Sequence, residues 1–209
     1  MIKFYYSPRS SASRCQVGLE ELGIPYEKIR VQLEKQEQKT PEFLAINPNG
    51  KIPALVDGDA KVFESLAILL YLGVEYGPDK ALWPEPRSPR HWDAVSWCIW
   101  GNTELSPAIL DVVLHGSDMS WAFPKEKQSA HVADAGLATW NRCMGVLDKR
   151  LQGNDFMMGG AFTLVDVAVG LSVGMGAMFA QLPFGSKNVE GWVARVQARP
   201  SFARVMGES

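Results

Sequence analysis

The chain has 209 residues, 46% of them hydrophobic, long enough to bury a full core in one domain or two small ones. A net charge of −2, with 21 basic residues scattered and forming no run, argues against nucleic acid or an anionic membrane as partner. Three cysteines, an odd number with no CxxC spacing and no nearby histidine pattern, argue against a disulfide framework or a zinc site. The N-terminus reads as a strand, Ile2–Tyr6, lacking the apolar core and cleavage site of a secretory signal. The longest apolar stretch, Val167 to Leu182, is interrupted by three glycines and does not suit a bilayer span. A cytoplasmic protein is expected.

In chain order, Ser11–Leu22 carries Cys15, Val17, Leu19 and Leu22 at helical spacing, with Gly23 as a stop. Tyr26–Val31 is a second strand, and Pro41–Ala45 a helical turn closed by Asn-Pro and Asn-Gly breakers. Ala54–Val56 and Lys61–Phe63 flank Asp57-Gly58-Asp59-Ala60 as a hairpin, and Glu64–Tyr76 is a helix. The order β-α-β-α-β-β-α predicts a βαβ unit, then a hairpin and a covering helix. Gly77 to Pro89, with four prolines, reads as a linker. Helical patterns follow near Arg90–Leu114, Lys125–Leu151, from Thr163 to about Met178, Val189–Gln197 and Ser201–Val205. Thr163-Leu164-Val165-Asp166 resembles a capping box with Asp at its third position, and Phe162 is placed to staple against Val167.

Two motifs carry the chemistry. In Asn47-Pro48-Asn49-Gly50-Lys51-Ile52-Pro53-Ala54-Leu55, a proline stands just before a strand, where it donates no ladder bond. A cis Ile52-Pro53 bond would turn the Ile52 N–H and C=O outward to pair with an extended peptide. Glu64-Ser65 opens a helix, so a carboxylate and outward-pointing N–H groups meet at one helix end. Together they predict a site for a small peptide bearing an amine and carboxylates.

With these motifs in this order, the whole chain resembles the cytosolic glutathione transferase family. Asn47–Leu55 is similar to its cis-proline segment, Glu64-Ser65 to its γ-glutamyl-binding pair, and Phe162–Asp166 to its buried capping motif. Tyr5-Tyr6-Ser7-Pro8 and Leu19–Glu27 resemble the bacterial beta class, and Arg9-Ser10-Ser11-Ala12-Ser13 the zeta class. The resemblance implies an α+β fold: a thioredoxin-like N-terminal domain over 1–77, a linker over 78–88, and an all-α helical bundle over 89–209. It implies a cytoplasmic homodimer serving detoxification, with glutathione as co-substrate, a small apolar electrophile, and no metal. Ile52 and Pro53 would hold the cysteinyl backbone, Glu64 the glutamyl ammonium and Ser65 its carboxylate. Gln38, Lys39 and Lys51 are candidates for the glycine carboxylate, although solvation alone also accounts for the lysines. Either Ser11 or Ser10 would donate to the thiolate; the other caps the helix, where serine is favoured anyway.

Ser11 stands where the beta class has a cysteine, and Ser106 where that class has a histidine. Both departures favour thiol addition or substitution over thiol-disulfide exchange, which needs a protein thiol. Cys15 reads as packing. An electrophile pocket between the domains would draw on Ser106 and Asn102, with Trp97, Trp100 and Met175–Met178 as further candidates. His91, His115 and His131 receive no role. The alternative is a non-catalytic module of the same fold, used for protein interaction or regulation.

Overall fold

The computed structural model describes residues 1–8, 10–117 and 123–207. Four strands, β1 (Ile2–Tyr6), β2 (Tyr26–Arg30), β3 (Ala54–Asp57) and β4 (Ala60–Phe63), form one sheet in the order β2-β1-β3-β4. β1 and β2 are parallel, and β3 runs antiparallel to both β1 and β4. Strand alternation sorts the side chains by face. Ile2, Phe4 and Leu55 are buried on one face, and the fully buried Leu19, Leu22, Ile68, Leu69 and Leu72 of helices α1 (Ala12–Leu22) and α3 (Ser65–Tyr76) provide its cover. The opposite face carries Tyr5 and Ala54, packed with Val31, Ile52, and Phe43 and Ile46 at the short helix α2 (Pro41–Leu44). Helix α1 ends where Gly23 turns left-handed (φ 60°) and donates its N–H to the Leu19 and Glu20 carbonyls, a turn that glycine makes without steric penalty. The hairpin is tied to α3 through Asp57, whose carboxylate accepts from the Tyr71 and Tyr76 hydroxyls.

Helices α4 (Pro89–Trp100), α5 (Ser106–Gly116), α6 (Ala130–Leu151), α7 (Leu164–Ala180), α8 (Lys187–Gln197) and α9 (Pro200–Met206) complete the described elements. The chain divides into two compact units, Met1–His91 together with the segment from Ala198 onward, and Trp92–Gln197. That division departs from 1–77, 78–88 and 89–209 in two places, each with a visible cause. Trp83 is buried, donates its indole N–H to His91 Nδ1 at 3.0 Å, and lies so close to Gly73 that a Cβ there would meet its ring at 2.7 Å. The proline-rich stretch is thereby fastened to α3. At the other end, Arg199 and Ser201 bind Glu21 of α1, which ties α9 to the first unit.

In the second unit, α7 is buried on every side from Leu164 to Gly174, as its unbroken apolar run requires. Its start is held by Asp166, a fully buried carboxylate that accepts four hydrogen bonds. These come from Thr163 N–H (2.8 Å), Thr163 Oγ1 (3.1 Å), Met157 N–H (2.7 Å) and Trp192 Nε1 (2.8 Å). Burial raises its pKa while these donors oppose the rise. Phe162 packs edge-on against Phe156. The expected single helix Arg90–Leu114 is instead broken by a π-helical turn over Gly101–Leu105. Pro107, just beyond it, has no N–H to continue an ordinary ladder, which accounts for the widened turn. Among the described residues, no helix is long and apolar enough to cross a membrane.

Candidate functional site

Strand register brings the sequence-predicted segments of the first unit to one end of the sheet. Tyr6 lies opposite Arg30, Tyr5 opposite Ala54, and Ala54 opposite Phe63. The serine loop after β1, the segment after β2 holding Gln38 and Lys39, the turn before β3, and Glu64 after β4 therefore all leave from the same edge.

In the serine loop, Ser10 is committed to the backbone. Its hydroxyl donates to the Ser7 carbonyl at 2.6 Å and accepts from the Ala12 N–H at 3.2 Å, while its carbonyl accepts from the Ser13 N–H. Ser11, at the N-cap position of α1, is exposed and its side chain makes no capping bond. Arg9 lies outside the described residues. Cys15, one turn into α1, is fully buried and donates its thiol to the Ser65 carbonyl at 3.2 Å. Burial pushes that thiol up to about 12, so it is an inert link between α1 and the start of α3 rather than a nucleophile.

The Ile52–Pro53 peptide bond is cis. The Ile52 side chain packs against the Val31–Phe43–Ala54 cluster, and its backbone takes no part in the hydrogen bonding of the described residues. Asn47, which sequence reasoning treated only as a breaker, organises this turn: it is buried, its Nδ2 donates to the Lys51 carbonyl at 2.6 Å, and its Oδ1 accepts from the Asn49 N–H at 3.0 Å. A polar residue set between apolar Ile46 and a proline was the available signal. Gly50 is left-handed (φ 56°), and a Cβ there would stand 2.8 Å from the Gln38 carbonyl and from Lys39 Nζ. Only glycine satisfies both demands, and its absent side chain lets the 38–39 segment close over the turn. Lys39 Nζ also donates to the Asn49 carbonyl at 3.4 Å. Gln38 Oε1 is buried without a hydrogen-bond partner among the described residues, whereas Lys51 is exposed.

Glu64 has φ 70° and ψ 123°, a conformation that side-chain-bearing residues rarely adopt, and its side chain makes no capping bond. Such strain, about 1–3 kcal/mol, persists where the surroundings demand it. It leaves the carboxylate exposed at the N-terminus of the twelve-residue helix α3, beside half-buried Ser65. The positive end of that helix favours a negative charge and presents N–H groups to an anion.

Asn102 and Ser106 belong to the second unit. Asn102 is exposed on the π-helical turn, and Ser106 follows it half-buried, its hydroxyl donating to the Gly101 carbonyl at 3.4 Å. Trp97 and Trp100 meet edge-to-face at 5.3 Å, with the Arg150 guanidinium over Trp97. Met175 and Met178 are exposed.

The "Glutathione S-transferase, N-terminal domain" family matches residues 2–73, and the "Glutathione S-transferase, C-terminal domain" family matches residues 112–200. The chain is 34% identical to Glutathione S-transferase F10 of Arabidopsis thaliana, over 80% of this chain and 78% of that protein. It is 27% identical to the disulfide-bond oxidoreductase YfcG of Escherichia coli, over 99% of this chain and 94% of that protein. Among solved structures, a glutathione transferase family member from Pseudomonas fluorescens with two glutathione bound superposes with a TM-score of 0.81 at 28% identity, over 98% of this chain and 92% of that chain.

Proposed function

The chain belongs to the glutathione S-transferase family, and from that premise we propose that it is a glutathione transferase whose loop serine stabilises the thiolate for attack on a small apolar electrophile. The observation that carries this reading is the gathering of four loops at one sheet edge, with strained Glu64 exposed among them.

On this reading Ile52 pairs with the cysteinyl backbone, held in place by Pro53. Glu64 meets the γ-glutamyl ammonium, and Ser65 with the α3 N-terminus meets its carboxylate. Gln38, Lys39 and Lys51 serve the glycine end. A ligand N–H reaching Gln38 Oε1 would also remove the penalty of a buried, unmatched acceptor, about 1–3 kcal/mol. A thiol of pKa about 8.5 is only about 3% ionised at pH 7. Lowering it by about 2 units requires about 2.7 kcal/mol in favour of the anion. A hydroxyl donor to a charged acceptor supplies about 1.5–3 kcal/mol, and a helix N-terminus about 0.3–1 kcal/mol more. Ser11 at the head of α1 offers both, and its hydroxyl is not spent on capping. Asn102 and Ser106 are the proposed electrophile-lining residues.

Calorimetric titration with S-methylglutathione, together with a panel of aryl halides, epoxides and disulfides turned over with glutathione, tests the reading. Saturable binding and loss of thiol with an electrophile are expected. No binding by folded protein would favour the non-catalytic module, and turnover of disulfides alone would contradict the transferase assignment. A homodimer is proposed as the working form in the cytoplasm; sedimentation at 23.1 kDa would contradict it.

A further inference from the structure

The last helix of the chain belongs with the first. Glu21, near the C-terminal end of α1, has a side chain only 6% exposed. Its Oε1 accepts from Arg199 Nε at 2.7 Å and from the Ser201 hydroxyl, and its Oε2 accepts from the second arm of the same guanidinium at 2.5 Å. A two-pronged guanidinium–carboxylate pair fixes direction as well as distance. Next to it, Glu20 accepts from Arg204 Nε at 3.1 Å and from the Tyr26 hydroxyl at 2.7 Å, so α9 and β2 both hold this end of α1. Toward the opposite end of α1, Val205 is 5% exposed and lines a narrow cleft with Tyr6, Ser7, Pro8, Ala12, Ser13 and Gln16.

α9 therefore meets α1 at both ends: by ion pairs at its C-terminus, and at its N-terminus through Val205, which borders a cleft shared with the serine loop. An eleven-residue helix is a rigid rod of about 16 Å, so these α9 attachments act together with its packing beside α3 and the Cys15–Ser65 link to set where its first turn stands relative to β1. Within the loop, the described side-chain bonds run from Ser10 to Ser7 and Ala12. They keep the turn's own shape and do not fix its height over the sheet.

We propose that α9 is the positioning element of the thiol-activating loop, with Glu21, Arg199, Ser201 and Val205 as positioning residues; this rests on the glutathione transferase reading above. The hydroxyl that stabilises the thiolate contributes only at hydrogen-bonding distance, and a displacement of about 1 Å in such a group can lower a rate by about 10²-fold. The segment that holds the donor in place thus lies almost two hundred residues away from it in the chain, and itself touches no part of the thiol.

The test compares the full-length parent with Val205→Ala and Arg199→Gln, each confirmed as folded by circular dichroism. Two quantities are read: the pKa of the bound glutathione thiol from thiolate absorbance, and the affinity for S-methylglutathione, which has no thiol to ionise. In both variants the thiol pKa is expected to rise by about one unit, with S-methylglutathione affinity changed by less than about twofold. By the same shift, kcat/KM for the electrophile at saturating glutathione falls about fivefold near pH 6.5 and rejoins the parent above about pH 9. A general loosening of the fold would not produce that convergence. An unchanged thiol pKa in folded Val205→Ala overturns the proposal, as does a parallel loss of S-methylglutathione affinity. If Arg199→Gln does not fold, Val205→Ala decides alone. A parent that binds no S-methylglutathione refutes the glutathione reading itself and removes this proposal with it.

Discussion

Ser10 and Ser11 are neighbours whose hydroxyls are differently employed. Ser10 closes the loop on Ser7 and receives the first helical N–H, whereas the exposed Ser11 hydroxyl does no capping. Ser11→Ala is expected to raise the pKa of bound glutathione by about 1–2 units, following loss of a hydrogen bond to a charged acceptor. Ser10→Ala is expected to lower stability by about 1 kcal/mol, the usual worth of a cap, with a smaller change in that pKa. The opposite pattern in thiolate absorbance would move the donor to Ser10. Cys15 gives a different residue-scale expectation. Its folded pKa, about 12, lies above the ordinary thiol value because its site excludes the charged form. The unfolded chain then releases this proton first, so the folded state holds more protons between about pH 9 and 12. Stability is intact below that window and falls through it by up to about 1.4 kcal/mol per pH unit. Urea midpoints measured across this range, parent against Cys15→Ala, should diverge; parallel curves would contradict the burial argument.

At the scale of elements, the start of α3 carries a testable strain. Glu64→Gly and Glu64→Ala both remove the carboxylate, but only glycine accepts φ 70° without penalty. Both variants should raise KM for glutathione severalfold with kcat changed less, since the contact is remote from sulfur. Glu64→Gly should be more stable than Glu64→Ala by about 1 kcal/mol, a melting temperature higher by about 2–4 °C; equal melting temperatures would contradict the strain, and an unchanged KM would remove Glu64 from the site. This element was legible in the sequence because a Glu-Ser pair before an apolar run marks a helix start. The hairpin and the Gly23 stop were legible for the same local reasons. Asn47 was legible only as a polar residue between apolar Ile46 and a proline; its worth lies in being buried with both ends of its amide bonded, which that local pattern does not specify. The break at Gly101–Leu105 had a local sign in Pro107, outweighed by apolar spacing that continues on either side of it. The attachment of α9 to α1 depends on Glu21 meeting Arg199, and helical periodicity carries no information about a pairing across that separation.

For the whole molecule, the two units meet different requirements. The first arranges loops at a sheet edge, and the second is organised around a buried helix whose start depends on Asp166. Asp166→Asn would replace one acceptor oxygen with an amide facing N–H donors, leaving buried groups unmatched. A loss of about 3 kcal/mol in chemical unfolding is expected, with KM for glutathione unaltered in whatever protein remains folded. A specific rise in KM without loss of stability would contradict its placement as a structural residue. The family assignment rests on the whole chain, while the chemistry rests on one sheet edge and the loop beside it. The most direct measurement is therefore the pH titration of thiolate absorbance for glutathione bound to the intact protein. A bound-thiol pKa near 6.5, about 2 units below that of the free thiol, is the predicted result. A value near 8.5 with glutathione demonstrably bound would contradict activation of the thiol by this loop.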